Sequence, residues 1–143
     1  MMLDEIDLRI IELLMEDGRR PYTEMAKKLG LSESTVRKRV QALVEEGVIR
    51  RFTVEVEPSK LGLRTVAIVG VDVEPPRLLE VAQSLSQLRE ARWVATSTGD
   101  HMIMMEVWTR DGRALTRLIS ERIGGIEGVK RVCPAIILEK LKG

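Results

Sequence analysis

Between positions 32 and 51 the chain gathers nine polar side chains of the kinds that grip nucleic acid: Ser32, Ser34, Thr35, Arg37, Lys38, Arg39, Gln41, Arg50 and Arg51. Hydroxyls and a carboxamide can meet base edges, while guanidinium and ammonium groups meet phosphates. Their spacing is that of a helix face. At about 100° per residue, Ser34, Thr35, Lys38 and Gln41 share one side, flanked by Arg37 and Arg39. Val36, Val40, Leu43 and Val44 fall at i, i+4, i+7 and i+8 on the other, a stripe that predicts burial. A basic run such as Arg37-Lys38-Arg39 more often marks a solvated face than a binding one. Here the elements around it decide the question.

Ahead of this helix, Ala26 and Leu29 give a shorter helix a narrow apolar edge, and Gly30 supplies the left-handed stop between the two. Ser32 is placed as N-cap, with Thr35 standing where a full capping box has Glu or Gln. Two short helices joined by a tight glycine turn read as a helix-turn-helix, whose second helix enters the major groove. Residues 4–17 add a preceding helix, with Ile6, Ile10, Leu13 and Leu14 as its stripe and Asp4 as its cap. Gly47 ends the second reader helix. The alternation over 48–56 then predicts a strand carrying Arg50 and Arg51 as a wing. Residues 1–57 are thus expected to form a winged helix-turn-helix domain. Charge is polarised within it: positions 19–51 hold nine Lys and Arg against four Glu, and positions 1–18 hold one Arg against six acids. An acidic back behind a basic reader orients such a module on DNA.

Residues 58–62, Pro-Ser-Lys-Leu-Gly, read as a hinge before a domain spanning 63–143. There the pattern is strand (63–73), helix (77–88), strand (92–98), strand (101–109), helix (112–123) and strand (129–138). This βαββαβ order predicts an α+β, ferredoxin-like (RAM/ACT-like) fold with both helices on one face of a four-stranded antiparallel sheet. The strands are apolar on both faces, which predicts that a second subunit covers the open one. With Asp100 and His101 as the turn pair of the central hairpin, Trp93 would lie across from Trp108.

Taken together, the chain resembles the Lrp/AsnC (leucine-responsive, feast/famine) family of transcriptional regulators over nearly all of its length. The carriers are Leu3-Asp-Glu-Ile-Asp-Leu-Arg-Ile-Ile-Glu-Leu-Leu, Leu31-Ser-Glu-Ser-Thr-Val-Arg-Lys-Arg-Val-Gln-Ala-Leu, Glu46-Gly-Val-Ile-Arg and Thr98-Gly-Asp-His. The resemblance is closest to archaeal members that control amino-acid biosynthesis operons, those for lysine being the candidate group. It implies a C-terminal domain that dimerises, often assembles to octamers, and binds small amino acids between subunits. The family places the effector beside the turn after the second strand of that domain, here Gly99-Asp100-His101-Met102, with Met102 where the pattern has Asp. A facing subunit commonly adds hydroxyl-bearing residues from the last strand, where this chain has Cys133-Pro134-Ala135. Backbone amides at Gly99 and Asp100 can hold a carboxylate, the Asp100 side chain an ammonium group, and Thr96 and Thr98 can add hydroxyls. Gly99-Asp100 is equally suited to a plain hairpin turn.

Composition bounds the remaining classes. The net charge of +1 argues against a general polyanion binder, so DNA affinity must reside in the distribution of charge. One His, one Cys and no acid pair beside a nucleophile predict no catalytic triad, no metal cluster and no cofactor beyond an amino-acid effector. The acidic start lacks a leader's apolar core, no run reaches membrane length, and lone Cys133 excludes an internal disulfide; all three predict a cytoplasmic location. The absence of Asn, with only three Gln and 31% charged residues, hints at a heat-adapted source. The expected function is therefore an oligomeric, sequence-specific regulator that binds double-stranded DNA and responds to an amino acid. The alternative is an effector-independent architectural DNA-binding protein.

Overall fold

Asp4 opens the first helix, α1 (Glu5–Glu16), through a complete capping box: its carboxylate accepts from the Asp7 backbone N–H, and the Asp7 side chain accepts from the Asp4 N–H. Ile10, Leu13 and Leu14 are buried along one side of α1. A short α2 (Tyr22–Leu29) contributes Met25 and Ala26 to the same core and stops at Gly30, whose φ of 69° is the left-handed cap that its lack of a Cβ allows. Ser32 then caps α3 (Glu33–Glu45), accepting from the Thr35 N–H at 3.2 Å. Val36, Val40 and Leu43 close the three-helix core. Each fully buried side chain of this kind stabilises the fold by about 1.5–3 kcal/mol. Val44, expected in the stripe, is exposed.

This computed structural model describes all 143 residues. The chain divides into two units, Met1–Glu55 and Val56–Gly143.

The strand expected over 48–56 is not formed. The Ile49 N–H donates to the Leu43 carbonyl at 3.0 Å and fixes the exit from α3, but residues 50–56 take part in no backbone hydrogen bond. The reason is pairing. A strand needs a neighbour, and the first unit offers no second extended segment. Phe52 and Val54 are left exposed beside an open groove lined by Ile11, Leu14, Met15 and Val48. Positions 58–62, read as a hinge, fold into one 3-10 turn, Pro58–Leu61, closed by Gly62.

The second unit holds β1 (Thr65–Val73), α4 (Leu78–Ser86), β2 (Ala91–Thr96), β3 (Ile103–Thr109), α5 (Gly112–Arg117) and β4 (Val129–Ile136). The predicted helix over 112–123 continues beyond α5 as a π-turn, Leu118–Ile123. The sheet is antiparallel in the order β2-β3-β1-β4. Ala67, Val69, Val71, Ile103, Met105 and Val107 point to the helical face and pack with Val81, Leu85, Leu115, Leu118 and Ile123. The opposite face carries Val66, Ile68, Gly70 and Asp72 of β1, with Met104, Glu106 and Trp108 of β3.

The register of the central hairpin differs from the expected one by two residues. Thr96 pairs with Ile103, and Trp93 pairs with Glu106 rather than Trp108. The turn is centred on Gly99 and Asp100 instead of Asp100 and His101, and the Ser97 N–H donates to the Met102 carbonyl at 2.9 Å to close it. A bulge between Ala91 and Trp93 absorbs the extra residue. Glu106 takes the place expected for direct indole contact. Its carboxylate accepts from the Trp93 Nε1–H at 3.3 Å and from the Trp108 Nε1–H at 2.6 Å.

Candidate nucleic-acid interface and effector turn

The start of α3 is a small hydroxyl network. Ser32 Oγ lies 3.1 Å from Ser34 Oγ and 2.8 Å from Thr35 Oγ1, so these groups are pre-oriented beside the free N–H groups of the helix start. Ser34, Arg37, Lys38 and Gln41 are exposed, and Thr35 is half-buried. The buried stripe of Val36, Val40 and Leu43 holds this face outward, as the sequence predicts.

The cations are not equivalent. Lys38, Arg50 and Arg51 are exposed and have no ion-pair partner in the structure. Arg37 pairs with Glu33 at 2.8 Å, one turn back, and its guanidinium lies 5.4 Å from the Tyr22 ring centroid. Arg39, read from the sequence as a phosphate contact, is otherwise engaged. Its Nη1 donates to Asp4 at 2.7 Å and to Asp7 at 3.1 Å, tying α3 to the capping box of α1. The Arg39 hydrogen bond, followed by that from the Asp7 backbone N–H, holds the Asp4 carboxyl below the usual aspartate range. The two carboxylates, Asp4 first, in turn raise Arg39 further. This tie was hidden in the sequence, where the partners stand 35 and 32 positions apart.

At the second candidate site, Thr96 ends β2, and Thr98, Gly99 and Asp100 form the exposed tip of the hairpin. His101 and Met102 turn inward and are half-buried. Ser97 Oγ donates to the His101 carbonyl at 2.8 Å and fixes the inner limb of the loop. The imidazole lies across Gly70 with Nδ1 3.3 Å from Asp72. On β4, Cys133 stands opposite Gly70, and Pro134 and Ala135 follow on the exposed edge. His101 and Cys133 therefore meet within a single chain, although β2 and β4 are opposite edges of the sheet. The sequence reading missed Asp72. Its signal is an acid at alternating spacing from Gly70, on the open face of an otherwise apolar strand.

These two sites match known domains. Residues 3–44 match the AsnC-type helix-turn-helix domain, and residues 66–143 match the Lrp/AsnC ligand binding domain. The chain belongs to the Lrp/AsnC family. It is 54% identical over 141 residues to the HTH-type transcriptional regulator LrpA of Pyrococcus horikoshii, covering 99% of this chain and all of that one. The LrpA1 regulator of Halobacterium salinarum is 35% identical, again over 99% of this chain and the whole of the relative. Among solved structures, Escherichia coli AsnC aligns with a TM-score of 0.91 at 26% identity, covering 100% of this chain and 97% of that one. A regulator from Neisseria meningitidis, solved as a complex with L-Met, has the same fold, with a TM-score of 0.92 at 22% identity over 99% of this chain and 94% of that one. The relatives are named as transcriptional regulators, and this Lrp/AsnC chain is a DNA-binding transcriptional regulator with a ligand-binding domain rather than an enzyme. No helix is long and apolar enough to cross a membrane.

Proposed function

We propose that this regulator reads duplex DNA with the outer face of α3, using Ser34, Thr35 and Gln41 at base edges and Lys38, Arg50 and Arg51 at phosphates. The observation that carries this reading is the division of labour among the cations. Lys38 stands unpaired among exposed polar groups, whereas Arg39 belongs to the internal tie with Asp4 and Asp7. Ser32 acts as a cap that aims its neighbours, and Arg37 contacts a phosphate only by leaving Glu33.

Homo-oligomers, from dimers to octamers, would present pairs of α3 helices, and a two-fold pair favours pseudo-palindromic sites with half-sites about one helical turn apart. An amino acid held at the Gly99–Met102 turn would act by binding one assembly state better than another, since only a difference in affinity shifts such an equilibrium. The match to a ligand-binding domain supports an effector. Methionine, seen in the Neisseria structure, and lysine are the first amino acids to screen. A cytoplasmic site of action follows from DNA as the partner.

The test is equilibrium binding to labelled duplex DNA over a series of salt concentrations. Lys38→Ala should weaken binding to all sequences alike and reduce the slope of log K against log salt by about one. An unchanged slope would remove α3 as the DNA-facing helix. A thermal-shift screen against the amino acids tests the effector: a ligand that raises the melting temperature of the wild type and not of Asp100→Ala supports the turn. If no amino acid shifts it, the chain works as an effector-independent DNA-binding protein.

A further inference from the structure

The three side chains gathered on the open face of the sheet are chemically unlike one another. Asp72 comes from β1, His101 from the hairpin loop and Cys133 from β4, and one donor atom of each lies within 4.8 Å of the others. Two supports hold the cluster. Gly70 is its floor: a Cβ there would fall 2.3 Å from His101 Cδ2 and 2.9 Å from Nε2, so only a bare backbone lets the imidazole lie between the flanking strands. The Ser97 hydroxyl fixes the His101 carbonyl and so the position from which the ring descends.

Beyond the contact between Asp72 and His101, the three side chains have no other side-chain partner. Asp72 stands opposite Arg131 in the β1–β4 register, yet the only side chain within hydrogen-bond distance of its carboxylate is His101. The Cys133 thiol is free and half-buried. A carboxylate oxygen, an imidazole nitrogen and a thiolate sulfur are together the donor set of a borderline-soft divalent cation. The 3.3 Å from His101 Nδ1 to Asp72 is also the edge expected between tetrahedral O and N ligands at bond lengths of roughly 2.0 Å. Closure at Cys133 takes at most about 1.3 Å of side-chain adjustment, since the donor atoms lie within 4.8 Å of one another and a Zn–S bond of about 2.3 Å sets an edge of about 3.5 Å to the N and O ligands.

We propose that Asp72, His101 and Cys133 form a three-ligand site for a divalent transition metal of the zinc class, leaving a fourth coordination position that these three residues do not fill. The site ties the hairpin turn to both β1 and β4 through a single ion. The site shares His101 with the proposed effector turn, but its test is read with neither DNA nor amino acid present, so its failure is distinguishable from the failure of either of those readings. Its members on β1 and β4 are brought together by sheet register, while His101 reaches them from the loop.

The experiment uses full-length, tag-free protein, stripped with chelator and titrated with Co2+ as a spectroscopic substitute for Zn2+. We expect one Co2+ per chain, tetrahedral visible bands and a thiolate-to-cobalt charge-transfer band. Cys133→Ser should abolish the charge-transfer band, and Asp72→Asn and His101→Gln should each weaken binding at least about tenfold. X-ray absorption on the wild-type zinc form gives a result that depends on no variant, with one sulfur in the coordination shell expected. Octahedral Co2+ with no sulfur ligand, a charge-transfer band that survives Cys133→Ser, or the absence of stoichiometric binding would each overturn the site.

Discussion

At the scale of single residues, the structure separates cations that look alike in the sequence. Arg39 and Lys38 are neighbours in one basic run, but Arg39 is spent on Asp4 and Asp7. Replacing Arg39 by alanine is therefore expected to lower the melting temperature of the first unit by several degrees, since the buried Asp7 carboxylate loses its charged partner. Below that melting point, the salt slope of DNA binding should stay as in the wild type. A reduced slope with unchanged melting would instead make Arg39 a phosphate contact. Acid should loosen the same tie. Asp4 has its folded-state pKa depressed by Arg39 and by the Asp7 N–H, so its contribution is present above the unfolded aspartate pKa and fades as pH falls through the lowered folded value. Asp4→Asn should accordingly be less stable than the wild type at neutral pH, with the gap closing in strong acid. Thermal melts that keep a constant gap down to that range would contradict this.

At the scale of elements, what was legible in the sequence was whatever local pattern alone decides. The capping serine, the glycine stop and the Val36, Val40, Leu43 stripe specify the helix pair without help from distant residues. Ser32→Ala should cost about 1 kcal/mol of stability through the lost cap, read from chemical denaturation. The expected strand over 48–56 failed because alternation shows that a segment can pair, not that a partner is present. The hairpin register failed for a related reason. Alternation tolerates a shift of two residues, and only the turn chemistry at Gly99 and the bulge beside Trp93 distinguish the two settings. The turn proposed for the effector was legible as a loop, but its link to Asp72 was invisible, because contacts between strands follow from register. Gly70→Ala probes that link: a methyl group on the ring of His101 should displace it and destabilise the second unit by about 1–3 kcal/mol. A neutral result would mean that the ring has room to move aside.

At the scale of the whole molecule, the proposed function requires copies of the chain to act together, each with a helix-turn-helix unit and a ligand-binding one. The half-exposed face of the sheet, with Val66, Ile68 and Met104, and the unpaired stretch around Phe52 and Val54 are apolar surfaces that a second copy would cover. Sedimentation of the purified protein should then show no monomer at working concentrations, and a lone chain would remove the geometric basis for paired half-sites. The most direct measurement is selection by this protein from a pool of random duplexes at one fixed salt concentration, with Thr35→Ala as comparison. The account predicts enrichment of a pseudo-palindrome whose half-sites lie about one helical turn or a multiple apart, with the variant relaxing preference at one position per half-site by about 1–3 kcal/mol. If no sequence is enriched, or the same sequence is enriched equally with the variant, α3 does not read DNA through the face described.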